Sequence, residues 1–598
     1  MAEDALVKGG GFLIEETAPE HVFTPEDFSD EQKMFAQTAR EFIRNEVLPR
    51  LEETEAHAEG VMVGLVKKAG ELGFLMIDVP EKYGGLDLDK ATSMLVSEVM
   101  STGGAFATSY GVHTGIGTLP VLYFGNEDQK ERYLPRLATG ELMGCYALTE
   151  AGSGSDALAA KTHAELSADG TFYTINGEKL FVTNGGFADL FTVFAKVNGM
   201  DFTAFIVERG CEGVSIGAEE KKLGIRGSST VTLILDGAKV PAGNLLGEQG
   251  KGHKIAFNIL NIGRFKLGVG CVGAAKQALG ESIRYAGERY QFGRPISSFG
   301  MIKGKIANMA TGIFVTESMS YRTAGLLDGI LARVDKSAAD APAKTIAGIE
   351  EYSIECSIMK VKGSEMLDYV VDEAVQIFGG YGYSEEYPVE RYYRDARISR
   401  IYEGTNEINR LVIPGMLIKR AMKGDLPLMQ AAKKLQSELL DFPALDDGGD
   451  DGFMAQEARL VANAKKIALL AAGAALQKFM DKIQDQQGIL GNLADIIIEI
   501  YGMESALLRT RKLAASGAAG GASGGAGIAE KMTRLAVFQS MGAIDLWAKE
   551  ALAASMAGDE LRTMLAALKR LTRFVPIDSL HARETIADYF LEKGSYGI

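Results

Sequence analysis

At 598 residues the chain is too long for one hydrophobic core, and its 46% hydrophobic and 24% charged residues are ordinary for a soluble globular protein of roughly three to five domains. A net charge of −16 argues against a nucleic-acid partner, because phosphate binding needs clustered Lys and Arg. The four cysteines, Cys145, Cys211, Cys271 and Cys356, form no C-x-x-C pair, which disfavours a disulfide framework or metal site and points to a reducing compartment.

The first residues read as an arm, 1–28, acidic at Glu15, Glu16, Glu20 and Asp27. They match neither a signal peptide nor an Arg-rich transit peptide, so a cytoplasmic location is expected. From 29 to 143 the pattern is helical: Phe35, Ala39, Phe42, Ile43 and Val47 recur at helical spacing behind the cap candidates Ser29 and Asp30. Pro80 and the Gly84-Gly85 pair mark loops.

Between 144 and 259 the texture becomes that of a β domain. The run Thr171-Phe-Tyr-Thr-Ile175, then Asn176-Gly177, then Glu178-Lys-Leu-Phe-Val182 predicts two strands joined by a tight hairpin turn. Thr230–Leu235 followed by Asp236-Gly237 repeats the signal. Helical periodicity returns over 260–422. The acidic, glycine-rich stretch Asp446–Gly452 predicts a linker over 423–452. A second helical region, 453–598, follows, interrupted at 516–527 by a Gly/Ala tract expected to be mobile. The fold class is therefore mostly α with an inserted β domain.

Two segments carry chemistry. Cys145-Tyr-Ala-Leu-Thr-Glu-Ala-Gly-Ser-Gly-Ser-Asp156 combines glycines, which let backbone approach a ligand, with the hydroxyls of Thr149, Ser153 and Ser155. Ile401-Tyr-Glu-Gly-Thr-Asn-Glu-Ile408 sets one carboxylate, Glu403, between an aromatic residue and a glycine, and it follows the glycine-rich run Gln376–Tyr383. That arrangement suits a base beside a flat cofactor.

Together these segments resemble the acyl-CoA dehydrogenase family. Thr149–Asp156 matches its T-E-x-x-x-G-S-D segment, Phe181-Val182-Thr183-Asn184-Gly185 its aromatic-[IV]-[ST]-N-G strand, and Arg289-Tyr-Gln-Phe-Gly-Arg294 a third motif. Order and spacing agree over about residues 30–420. The extension beyond, with Gly542-Ala-Ile-Asp-Leu546, together with Phe299-Gly-Met-Ile-Lys303 ahead of it, is similar to the very-long-chain branch.

The resemblance implies an N-terminal helical domain, a middle β-barrel-like domain, a four-helix-bundle domain and a C-terminal helical domain. It implies FAD as cofactor, no metal, and α,β-desaturation of a long-chain acyl-CoA thioester to the trans-2-enoyl-CoA in fatty-acid β-oxidation. Glu403 would abstract the α-proton while a β-hydride leaves for flavin N5. By the same resemblance, Tyr146, Leu148, Thr149, Ser155, Phe181, Val182 and Thr183 would meet the flavin. Arg289 and Phe292 would meet the adenine and pyrophosphate half, Gln376, Gly379 and Gly380 would come from a neighbouring subunit, and Thr405 and Glu407 complete the set.

Ser155, Asn261, Arg264, Tyr402 and Gly404 would contact the substrate; Arg264 could meet a phosphate, or instead pair with a buried carboxylate of the protein in a packing role. Ala107 and Gly111, with Gly115, are small where medium-chain members carry bulkier polar residues, so they leave room for a long acyl tail. The chain departs from the family at Phe181, where tryptophan is common, and at Gly300, where many members place a flavin-contacting glutamine. Implied partners are an acyl-CoA substrate, electron-transfer flavoprotein as electron acceptor, and a second copy in a homodimer. An acyl-CoA oxidase or a non-catalytic scaffold on the same fold are the competing readings. The stripe Leu460, Val461, Ile467 and Leu470 with Lys465, Lys466 and Lys478 reads as a core face in preference to a peripheral membrane contact.

Overall fold

The structure, a computed structural model, describes residues 6–338, 340–440, 452–516 and 524–598, without the side chains of 436–440. A helical N-terminal region leads into one eight-stranded sheet; the long helices Gly252–Glu288, Gly300–Leu331, Ser353–Phe378 and Asn406–Lys423 follow, and then five further helices from Ala455 to Lys593. Ser29 opens the first α-helix, Asp30–Phe42, by accepting from the Gln32 N–H, while the Gln32 side chain reaches back to the Ser29 N–H at 3.0 Å.

Sheet order is Val214–Ile216, Thr230–Pro241, Phe172–Thr183, His163–Leu166, Leu190–Val197, Asp201–Glu208, Leu245–Leu246, and Gly144–Ala147 lies parallel to Leu190–Val197. Gly144–Ala147 and His163–Leu166 share that neighbour in turn. The loop between them, 148–162, is where the hydroxyl-rich segment emerges.

Asn176-Gly177 is not a hairpin. Phe172–Thr183 is one continuous strand, paired antiparallel with Thr230–Pro241 from Phe172 opposite Pro241 to Thr183 opposite Thr230, with a bulge between Ile175 and Gly177. Asn176 Oδ1 accepts from the Gly237 N–H at 2.7 Å, and a Cβ on Gly177 (φ +149°) would stand 2.4 Å from Thr162 Oγ1. The glycine serves a close approach within the sheet, a role that shares its sequence signature with a turn.

Two other expectations meet the structure differently. Within the segment expected as a linker, Leu428–Leu440 is a helix, since Leu428 and Leu435 recur at helical spacing and Leu435 is buried; residues 441–451 lie outside the described residues. Of the Gly/Ala tract, 517–523 lie outside them too, and the helix Gly525–Ser555 begins within its end.

The arm is tied down. Gly9 and Gly10 N–H groups donate to Glu351 at 2.9 Å and Glu355 at 2.7 Å, Phe12 packs on Tyr501, and Glu26 receives Arg509. Leu460, Val461, Ile467 and Leu470 are all buried and form part of the core, and Lys465 pairs with Glu504. By length and composition Gly252–Glu288 could cross a bilayer, but 67% of that apolar stretch is buried inside the protein.

Candidate active site

Glu403 ends a short loop ahead of the helix Asn406–Lys423 and sits on left-handed backbone (φ +58°), followed by Gly404 at φ +79°. A glutamate held there stores strain that its surroundings must overcome. Three groups do so. Arg264 Nε donates to the Glu403 carbonyl at 3.2 Å, Asn409 Nδ2 to the carbonyls of Gly404 at 2.9 Å and Thr405 at 3.0 Å, and Thr405 caps the helix through the Ile408 N–H.

The carboxylate itself is left without such support: its Oε2 is buried and has no hydrogen-bond partner. Burial pushes the Glu403 acid up to about 7, against the opposing pull of the Arg264 and Lys360 cations. Gly263 makes this approach possible, because a Cβ there would lie 2.7 Å from Glu403 Oε2. Lys360, fully buried, donates to Asn406 Oδ1 at 2.6 Å, and its own value falls to about 8, mainly through burial.

Asn261 and Arg264 are tied to each other and to the Glu403 loop. Both are buried, and Arg264 donates to Asn261 at 3.2 Å and to the Glu403 backbone. Among the described residues Arg264 donates to no carboxylate oxygen. Its planar guanidinium secures the loop that carries Glu403.

On the sheet side, Tyr146 is buried with an unpartnered hydroxyl; burial and then the Glu403 carboxylate push its pKa well above the ordinary tyrosine value, which puts the two side chains in one electrostatic neighbourhood. The loop after it is pinned by Glu150. This carboxylate takes the buried Lys179 ammonium at 2.6 Å, the Thr162 hydroxyl at 2.6 Å and the Lys161 N–H at 2.6 Å. Burial would raise it, but those donors hold it down at about 2.

Leu148 and Thr149 are half-buried and Ser155 is exposed. Phe181 projects from the strand on left-handed backbone (φ +55°), 61% exposed, whereas the Val182 side chain is buried and can offer a ligand only its backbone. An exposed ring, free hydroxyls and the orphaned Tyr146 oxygen, all at one end of the sheet, fit a flat polar-edged group such as a flavin.

A cavity of about 200 Å³ begins at Glu403, Tyr402 and Gly263 and passes Ala107, Gly111 and Gly115 between the helices Lys90–Met100, Ala105–Val112 and Gly252–Glu288. A Cβ on Gly111 would meet nothing within 4 Å. The residues expected to leave room for a long chain do border empty space.

The remaining expected residues gather elsewhere. Arg289 lies over the Tyr381 ring at 5.3 Å; Gln376, Gly379 and Gly380 are exposed, and Phe292 is 92% exposed. They form a patch where Gly252–Glu288 and Ser353–Phe378 end side by side, Tyr285 stacked on Phe378 at 4.0 Å. Glu407 is exposed in the first turn after the base loop. Reading the sequence missed Gly263, Glu150, Lys179, Lys360, Asn406 and Asn409. Of these, Glu150 and Asn406 fall inside the two segments singled out above, while the others stand outside them.

Comparison with known proteins agrees with this layout. The description acyl-CoA dehydrogenase, N-terminal domain, matches residues 29–141, the middle domain 145–238, and the C-terminal domain, in two separate forms, 250–417 and 463–570. A probable acyl-CoA dehydrogenase of Bacillus subtilis is 51% identical over 603 residues, covering 100% of both chains. The mitochondrial very long-chain specific acyl-CoA dehydrogenase of Homo sapiens is 36% identical over 482 residues, 75% of this chain and 70% of its own. The crystal structure of an acyl-CoA dehydrogenase complexed with FAD from Bacillus anthracis matches with a TM-score of 0.96 at 52% identity, over 99% of this chain and 100% of that one.

Proposed function

The chain belongs to the acyl-CoA dehydrogenase family, FAD-dependent oxidoreductases of fatty-acid β-oxidation, and from that premise we propose that it desaturates long-chain acyl-CoA with Glu403 as the base. The observation that carries this reading is the unpartnered Glu403 oxygen at the head of a cavity bordered by Ala107 and Gly111.

The acyl chain lies in that cavity, which excludes water from the base. Glu403 Oε2 takes the α-proton of the thioester; a carboxyl value near 7 keeps its proton affinity matched to the working pH. As the proton leaves, negative charge grows on the thioester oxygen. The Glu403 backbone N–H, which donates to no group among the described residues, is the donor we assign to that oxygen. Arg264 and Asn409 keep the loop from yielding as charge develops. Tyr146, Thr149, Ser155, Phe181 and Thr183 would hold FAD, which when bound supplies the acceptor for the β-hydride.

In this reading a second copy of the chain presents the Arg289, Phe292 and Gln376–Gly380 patch to the same cofactor, and its exposed aromatics support a homodimer. Electron-transfer flavoprotein is the proposed acceptor and the cytoplasm the proposed location, the apolar stripe of Ala455–Phe479 being spent on the core.

The test is an anaerobic titration of the purified flavoprotein with palmitoyl-CoA. Bleaching of the oxidised flavin band is expected. A yellow protein that no acyl-CoA bleaches would overturn the catalytic reading in favour of a scaffold, and stoichiometric peroxide under air would replace the dehydrogenase with an oxidase.

A further inference from the structure

One face of the Gly252–Glu288 helix runs the length of the cavity. Gly263 faces the base, and Leu267, Gly270, Ala274 and Gln277 follow at steps of four, three, four and three residues, all bordering the same space. With a rise of 1.5 Å per residue, Gln277 lies about 21 Å along the helix from Gly263. That is comparable to an extended palmitoyl chain. At this end the small residues give way to Gln277, and Tyr392 closes the opposite side.

The same two side chains border a second space. A surface cleft of about 340 Å³ is also lined by Gln277 and Tyr392, together with Leu48, Leu51, Tyr387 and Pro388, and it carries Glu386 and Arg391 among its charged groups. Glu281, one turn beyond Gln277, continues the helix face into it. Two side chains, both only partly buried, are thus all that the inner cavity and the cleft have in common as a wall.

We propose that Gln277 and Tyr392 form a gate, and that the cleft receives the ω-end of acyl chains too long for the inner cavity. This rests on the acyl-CoA dehydrogenase reading of the inner cavity and deepens it. The inner cavity sets the preference among ordinary chains, while the gate decides whether longer ones fit at all. Leu48, Leu51 and Pro388 line the cleft together with Glu281, Glu385, Glu386, Glu390 and Arg391, so a chain end there remains partly wetted. The gain per added carbon beyond the gate is accordingly smaller than inside it.

The experiment compares kcat/KM for dodecanoyl-, palmitoyl- and tetracosanoyl-CoA in wild type, Gln277→Ala and Gln277→Trp. The tetracosanoyl-to-dodecanoyl ratio should rise in Gln277→Ala and fall by about tenfold or more in Gln277→Trp. Ratios equal to wild type in both variants overturn the proposal. A second arm uses tetracosanoyl-CoA bearing a diazirine on its terminal carbon. Cross-links to Leu48, Leu51 or Tyr387 support the cleft, and cross-links confined to the inner cavity overturn it. Labelling requires binding alone. A wild type that turns over no acyl-CoA but labels in the cleft would therefore defeat the catalytic reading and leave the gate standing.

Discussion

Glu403 and Glu317 are both buried glutamates with arginine and lysine nearby, yet they sit on opposite sides of their ordinary acidity. Glu317, in the middle of Gly300–Leu331, receives Lys276, Arg509 at 2.6 Å and the Tyr596 hydroxyl at 3.0 Å. Burial raises it, but the two cations overcome that and hold it well below the usual range. At Glu403 the neighbouring arginine is spent on the backbone carbonyl and the lysine on Asn406, so burial wins and the value rises to about 7. What separates the paired carboxylate from the unpaired one is where the nearby donors point. In one region buried charge is neutralised and ties the C-terminal helices to the bundle; in the other it is left uncompensated at the head of a cavity.

Removing Glu403 should have the largest effect. Glu403→Gln should lower the rate of flavin reduction by about 10²- to 10⁴-fold, the span of general base catalysis, in stopped-flow mixing with palmitoyl-CoA. Near-wild-type reduction would take Glu403 out of the mechanism. The same variant should gain stability at alkaline pH. Between the ordinary value of 4.5 and the folded value of about 7 the native chain keeps a proton that the unfolded chain has released. Wild type therefore loses stability as pH rises through that window, and Glu403→Gln should exceed it at pH 8 by on the order of 2 kcal/mol.

The opposite change belongs to the other region. Arg509→Met leaves Glu317 and Glu26 short of a partner, and breaking a buried pair in this way costs about 3 to 5 kcal/mol. Urea unfolding at neutral pH should show that loss, with flavin reduction per folded molecule close to wild type. A loss near zero would mean that Lys276 alone satisfies Glu317. Gly263→Ala tests placement without touching charge. Its methyl would stand 2.7 Å from Glu403 Oε2, so the base must shift, and a displacement near 1 Å costs about 10²-fold in kcat. Flavin content should not change; an unaltered kcat would show that the loop adapts.

The difference between the regions also explains what the sequence discloses. The segments around Thr149 and Glu403 are contiguous, because a ligand-facing loop collects its hydroxyls and carboxylate along one stretch of chain. The residues that tune Glu403 are not contiguous. Gly263, Lys360 and Asn409 come from three helices, and each looks locally like an ordinary helical residue. Nothing in Asn261-Ile-Gly-Arg264 says that the Glu403 backbone carbonyl will accept from Arg264, so that contact is not legible in the sequence. Asn176-Gly177 reads as a turn for the reason that it works as a bulge: both need a glycine, and only the distant pairing with Thr230–Pro241 decides between them. The helical and β regions were legible because periodicity is summed over many residues, whereas single contacts are not.

The smallest predicted effect is the most direct probe of the comparison. Lys360 is one of the two cations that restrain Glu403, and Lys360→Met removes that restraint without entering the cavity lining. In wild type, flavin reduction should rise with pH through about 7 as Glu403 releases its proton. In Lys360→Met the midpoint should move upward, away from the behaviour of Glu317, by on the order of one pH unit. The loss of a partner for Asn406 Oδ1 would lower stability too, but a purely structural fault would reduce the plateau without shifting the midpoint. Lys360→Arg keeps the charge and should restore the midpoint even if it does not restore the plateau. A profile unmoved in Lys360→Met would assign the low affinity of Lys360 for its own proton to burial alone and leave Arg264 as the cation that sets the base.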